Sequence, residues 1–344
     1  MRKPADSASP GEAYDVPERL ILMPKVELHV HLEGSMRPGT VVELAEQSGV
    51  DLPWSLAAGQ WRFANFQDFM VQYTVMCRAL TRPDHFARVA TEFVEDVAAV
   101  GVRYVEVTFT PGGHARRVGD WQWPTSAVLD GLASASRSHG VTVAVILDHS
   151  RDRPLHEAMQ AAELAVEYRS RGVVALGLGG DEKDGTGPFR KAFAYAREHG
   201  LGSVVHAGET TGPYTIWTAI DDLGASRIGH GLAALGERRL VDRLVADGIV
   251  LEVCPTSNAA TGVVSSIQEH PWPRLAATGL RTTVNSDDPA MFHTNLAREL
   301  ALIRFLWGAD DNALAILTRN ALAGSFGTAA VRARIEREVT AWAC

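Results

Sequence analysis

At 344 residues the chain is too long for one small sandwich or bundle, and suits either two domains or one α/β barrel of roughly 250 residues with insertions. Its 46% hydrophobic and 22% charged residues exclude a disordered chain, and a net charge of -8 from 33 basic and 41 acidic residues excludes a broad nucleic-acid or anionic-membrane surface. Three scattered cysteines, Cys77, Cys254 and Cys344, supply neither a disulfide framework nor a Cys-x-x-Cys site, so a reducing cytoplasm is the expected setting.

In chain order, residues 1–20 lack the apolar centre of a signal peptide and read as a flexible tail, leaving 21–344 as a single domain. No apolar run approaches the roughly 20 residues of a membrane helix. Eight short β-branched runs follow, at 25–30, 103–109, 142–147, 173–178, 203–205, 227–229, 249–254 and 281–285. Between them lie helical patterns such as Phe86, Val89, Ala90, Phe93, Val94 and Val97, spaced to bury one face. Eight strand–helix units joined by right-handed crossovers predict a TIM (β/α)8 barrel. The stretch 37–100 exceeds one crossover helix, which predicts extra helices over the barrel mouth after the first strand. Its aromatic positions, Trp61, Phe63, Phe66, Phe69, Met70 and Tyr73, suit either core packing or an apolar lid.

Barrel chemistry sits where the strands end. The first strand reads Glu27-Leu28-His29-Val30-His31-Leu32-Glu33, and side-chain alternation puts His29 and His31 on one face with Val30 and Leu32 on the other. A lone His-x-His equally suits an exposed amphipathic strand. The fifth strand, however, ends at His206 and is followed by Glu209, the sixth ends at His230 between two glycines, and the eighth runs into Asp287-Asp288. Two adjacent carboxylates repel unless a cation or a proton intervenes. All these residues fall at the same end of the predicted barrel. Imidazoles and a carboxylate without thiolate suit zinc or another divalent transition ion, with His29, His31, His206 and Asp287 as ligands and one position open for water. Glu209, His230 and Asp288 remain for acid, base and substrate-anchor duties.

The ordered set His29-Val-His31-Leu-Glu33-Gly34, Gly179-Gly180-Asp181-Glu182, His206-Ala-Gly-Glu209, Gly229-His230-Gly231, Cys254-Pro-Thr-Ser-Asn258 and Ser286-Asp287-Asp288-Pro289 resembles the adenosine deaminase family of metal-dependent amidohydrolases, from about residue 22 onward. The resemblance implies hydrolytic deamination at C6 of a small-molecule purine with one Zn2+ or similar ion, no nucleic-acid or membrane partner, and no signal for oligomeric state. Related two-metal barrels often place a bridging lysine after the fourth strand, where this chain has Gly177-Leu178-Gly179-Gly180, so a single metal is expected. By the same resemblance Glu209 donates a proton to purine N1, His230 takes or orients the water's proton, Asp288 bonds N7 and the Gly180 N–H bonds N3. His31 and Glu33 border the substrate.

Glu33 departs from the best-known branch, which has Asp there to help hold the ribose. Relatives sharing His-Leu-Glu-Gly act on free adenine or on 5′-altered adenosines. Adenosine ranks first, followed by 5′-modified adenosines such as aminodeoxyfutalosine or methylthioadenosine, and by adenine. An amidohydrolase acting on another amide or ester, and an inactive binding relative, are further readings. Of the remaining histidines, His149 falls at the active end of the barrel after the third strand.

Overall fold

Eight strands, β1 (Lys25–His31), β2 (Val102–Phe109), β3 (Thr142–Ser150), β4 (Val173–Gly179), β5 (Gly202–Ala207), β6 (Arg227–His230), β7 (Val250–Val253) and β8 (Arg281–Val284), pair in parallel in chain order in the computed structural model. The structure describes residues 15–344. Positions 1–14, most of the stretch expected to be a tail, lie outside the described residues, while its last three positions begin a short helix, Glu18–Leu22, with Leu20 buried. All eight predicted strands are present, and the order and helices are those of a TIM barrel. Among the described residues no helix is long and apolar enough to cross a membrane.

Four helices separate β1 from β2: Pro38–Ser48, Trp54–Ala57, Phe66–Cys77 and Pro83–Ala99. The last is the crossover helix, and its predicted apolar face from Phe86 to Val97 is buried. The others form the expected insertion. On β1, Val30 and Leu32 join the main core cluster, as alternation requires.

The seam between β8 and β1 closes only near the strand ends. Val30 and Asp287 form a parallel bridge, the His31 N–H donating to the Asp287 carbonyl at 2.7 Å and the Asp287 N–H to the His29 carbonyl at 3.1 Å. Just before it, Asn285 Oδ1 stands in for a strand carbonyl, accepting from the N–H groups of Leu28 and His29 at 3.0 and 3.2 Å. The closing ladder thereby fixes His29, His31 and Asp287 relative to one another.

Candidate active site

The ends of β1, β5, β6 and β8 converge. Potential ligand atoms of His29, His206, His230 and Asp287 lie within 4.8 Å of one another. His31 joins them with Nε2 3.4 Å from Asp287 Oδ1, the oxygen that also lies 3.3 Å from His29 Nε2. The four residues expected as ligands are thus gathered, and His230, expected beside them as a non-ligand group, lies in the same cluster. Its Nε2 lies 3.8 Å from Asp287 Oδ2 and 3.6 Å from Glu209 Oε2. His230 and Asp287 both hold positive φ, 61° and 63°, which side chains rarely adopt unless the surroundings impose it. Gly229 is required for this crowding, since a Cβ there would meet His29 Cε1 at 2.8 Å.

Two of the imidazoles are oriented from behind. His29 Nδ1 lies 2.9 Å from Glu252 Oε2, and His206 Nδ1 lies 3.2 Å from the Leu178 carbonyl. Both partners accept, so Nδ1 carries the hydrogen and Nε2 turns its lone pair to the cluster. Buried His29 Nε2 makes no hydrogen bond. Burial works to lower the His29 pKa, but Asp287 and Glu252 outweigh it and push the ring up to about 10. Two carboxylates therefore call for a positive charge at that nitrogen. An orphaned lone pair, several imidazoles, a carboxylate and no thiolate fit a divalent transition ion.

Glu252 heads a buried chain that reading the sequence missed. Its other oxygen accepts from Arg227 Nε, and Arg227 Nη2 lies 2.7 Å from Glu106, which also takes the Tyr104 hydroxyl at 2.6 Å. All three charged groups are fully buried, a state that only mutual pairing offsets.

The three carboxyls expected in the site take different states. Burial works to raise Asp287, but the His29 ring 3.3 Å away and the neighbouring imidazoles hold it well below the usual range. Asp288 is pushed well above by burial and then by the Asp287 charge. The two neighbouring carboxyls are thus pushed in opposite directions. Glu209 is likewise pushed well above the usual range, by burial and then Asp287. Its Oε1 accepts from Asn258 Nδ2 at 2.9 Å, and its loop is anchored by Glu182, whose carboxylate accepts from the N–H groups of Gly208, Glu209 and Thr211 at 3.1, 2.9 and 3.2 Å.

The family model described as adenosine deaminase matches residues 24–342. The chain belongs to the adenosine deaminase family. That membership makes it a hydrolytic deaminase on an amidohydrolase barrel. It is 38% identical over 323 residues to the aminodeoxyfutalosine deaminase of Streptomyces avermitilis, covering 92% of this chain and 90% of that one. Among solved structures it is similar to adenine deaminase from Arthrobacter aurescens, with TM-score 0.88, 30% identity and coverage of 93% and 99%. It is also similar to an amidohydrolase with bound Zn from Burkholderia ambifaria, with TM-score 0.87, 26% identity and coverage of 99% and 96%.

In this family member the site opens into a cavity of about 430 Å³ lined by His31, Glu33, Gly180, His206, Glu209, His230, Asp287 and Asp288, a size ordinary for small ligands. The aromatic insertion divides. Phe66, Phe69, Met70 and Tyr73 line the cavity, whereas Trp61 is buried with its Nε1 donating to the Leu56 carbonyl at 3.3 Å, and Phe63 packs 5.8 Å from Phe292. Glu33 Oε1 accepts from the Thr110 N–H at 3.1 Å and pairs with His114 Nε2 at 3.0 Å, while its Oε2 is buried without a partner.

His149 does not line the cavity. It packs 5.4 Å from Phe189, and alternation along β3 presents Asp148 and Ser150 to the cavity instead. Burial pushes Asp148 up to about 8. Gly177, expected only as the absence of a lysine, makes room for it, since a Cβ there would fall 2.5 Å from Asp148 Oδ1.

Proposed function

We propose that the chain deaminates C6 of an adenine-containing nucleoside, adenosine to inosine and ammonia in the first instance, with one divalent ion for which zinc is the best fit. The observation that carries this reading is the arrangement around one imidazole: His230 Nε2 lies 3.6 Å from Glu209 Oε2, a carboxyl that burial pushes well above its ordinary range, and 3.8 Å from Asp287 Oδ2, a carboxyl that the neighbouring imidazoles hold well below it. A neutral carboxyl at that place can donate to a ring nitrogen, the acid that loss of a purine's 6-amino group needs at N1.

His29, His31, His206 and Asp287 are the proposed metal-holding set, because both β1 imidazoles meet the same Asp287 oxygen while His230 stands between the other oxygen and Glu209. When bound, such an ion acidifies water toward a pKa of about 7 and supplies a hydroxide nucleophile. Glu209 delivers its proton to N1, which drains electron density from C6. Asp288, protonated, donates to N7, and the Gly180 N–H donates to N3. His230 holds the attacking oxygen against the ring face. Glu33 keeps one buried acceptor oxygen unfilled, and a ribose hydroxyl satisfies it.

A second reading has its own support. Arg78, Arg116, Arg117 and Arg153 line the outer part of the cavity, and a 5′-modified adenosine carrying an anionic group, the class to which aminodeoxyfutalosine belongs, would place that group among them. The deciding experiment is a panel of adenine, adenosine, 5′-deoxyadenosine, methylthioadenosine and aminodeoxyfutalosine, followed by loss of adenine absorbance and by ammonia release. A nucleoside should outrun adenine in kcat/KM. Preference for adenine would remove the nucleoside assignment, and silence on all five would remove the deaminase assignment at this site.

A further inference from the structure

Asn258 is fully buried and touches both groups assigned to proton handling. Its Nδ2 lies 2.9 Å from Glu209 Oε1 and 3.2 Å from His230 Nδ1, and its Oδ1 lies 3.2 Å from His270 Nε2. The sense of a side-chain amide is settled only by a neighbour whose donor cannot reverse. Here that neighbour is the backbone N–H of Trp272, which donates to His270 Nδ1 at 3.1 Å. With Nδ1 accepting, neutral His270 carries its hydrogen on Nε2 and donates it to Asn258 Oδ1. His270 is buried, with Trp307 6.0 Å away and stacked on Trp272; burial holds its pKa down at about 4, so it stays neutral near pH 7.

We propose that His270, acting through Asn258, is a positioning residue that fixes which way the Asn258 amide points and so keeps the hydrogen of His230 on Nε2, facing the reacting centre. With Oδ1 occupied by His270, the two Nδ2 hydrogens go to Glu209 Oε1 and His230 Nδ1. His230 Nδ1 then accepts, and its ring hydrogen sits on Nε2, the nitrogen 3.6 Å from Glu209 Oε2. Turning the amide over would set two donors, Asn258 Nδ2 and His270 Nε2, against each other in a dry site, so the other His230 tautomer becomes accessible only when the His270 donor is removed.

Two consequences follow for the chemistry. His230 meets the attacking oxygen as a hydrogen-bond donor, orienting it and stabilising charge that gathers there, rather than as a base receiving its proton. Glu209, with Oε1 filled by Asn258, carries its acidic hydrogen on Oε2, so the proton for the purine leaves from one defined atom. The relay runs from a backbone amide that substrate never touches to both reacting side chains, and it rests on Glu209 and His230 being those side chains.

The test uses the zinc-loaded enzyme labelled with 15N-histidine, and the variants His270→Phe, which removes the donor, and His270→Gln, which keeps one. Long-range 1H–15N spectra should show the wild-type His230 with a pyridine-like Nδ1 and a pyrrole-like Nε2. His270→Phe should shift that pattern toward the other tautomer and lower kcat by about tenfold to a hundredfold, the usual loss when a supporting partner of a site residue is removed. KM should hold, because Asp288 and Gly180 bind the purine. His270→Gln should restore both the pattern and most of kcat. If His270→Phe does not fold, Asn258→Asp, which can accept but not donate, should give the same spectral change and the same loss. A wild-type His230 with its hydrogen on Nδ1, a His270→Phe enzyme with unchanged kcat, or a His270→Gln enzyme as impaired as His270→Phe overturns the proposal. The spectra need no substrate, so failure of the nucleoside assignment would show separately, as absence of turnover with the tautomer intact.

Discussion

Substituting Gly34 by alanine should cripple substrate recognition without touching a polar side chain. A Cβ at position 34 would fall on the Asp288 carboxyl, 2.5 Å from its Cβ and Cγ and closer still to Oδ1, where ordinary contact begins near 3.4 Å. The two segments cannot part freely, because the Ala290 N–H donates to the Gly34 carbonyl at 3.1 Å and the Phe292 N–H to the Asp288 carbonyl at 3.0 Å. The Asp288 side chain must therefore swing away from purine N7. The overpacking costs about 1–3 kcal/mol of stability. The lost hydrogen bond, with buried partners left unpaired, is worth about 1–3 kcal/mol in kcat/KM, or roughly fivefold to 150-fold. Steady-state kinetics on adenosine and 7-deazaadenosine would measure it, with thermal midpoints and zinc content as controls. Wild-type enzyme should discriminate strongly against the 7-deaza compound, and Gly34→Ala should discriminate little. A variant within threefold of wild type on adenosine, or one that keeps full discrimination, would refute the assignment of Asp288 to N7.

Three further outcomes are expected. Glu209→Gln should lower kcat by about 10²–10⁴-fold; because burial and Asp287 raise Glu209, the active protonated form is present below its own pKa and is lost as pH rises through it, so the wild-type rate should fall on the alkaline side, measured as kcat against pH. Glu252→Gln removes the carboxylate behind His29 and should weaken metal retention by about tenfold to a hundredfold, measured by chelator competition. Arg227→Met leaves Glu106 and Glu252 buried without their guanidinium partner and should cost about 3–5 kcal/mol, read from denaturant unfolding.

The strands were legible because each is a short β-branched run, and the cluster because His29, His31, His206, His230 and Asp287 lie at or just past the ends of four strands that the barrel brings to one rim. The groups behind them were not. Glu252, Arg227 and Glu106 are charged residues inside otherwise apolar strands, and only the three-dimensional pairing tells them from strand-edge polarity. His114 lies 81 residues from Glu33, and His270 lies 12 residues from Asn258 on a different element, so no helix or strand spacing marks their contacts. His149 misled because alternation on β3 was not carried through: Asp148, one position earlier, faces the cavity. The glycines at 34, 177 and 229 carried a signal of a different kind, each being absent volume that a site carboxyl or imidazole fills.

Hydrolytic removal of the 6-amino group at this cluster is tested by turnover of adenosine by the zinc-loaded protein in 18O-enriched water. One 18O should enter at C6 of inosine and one ammonia should be released for each adenosine consumed, with the rate lowered about 10²–10⁴-fold in Glu209→Gln. A product without solvent oxygen, or a Glu209→Gln enzyme turning over at the wild-type rate, would refute hydrolytic deamination at this cluster.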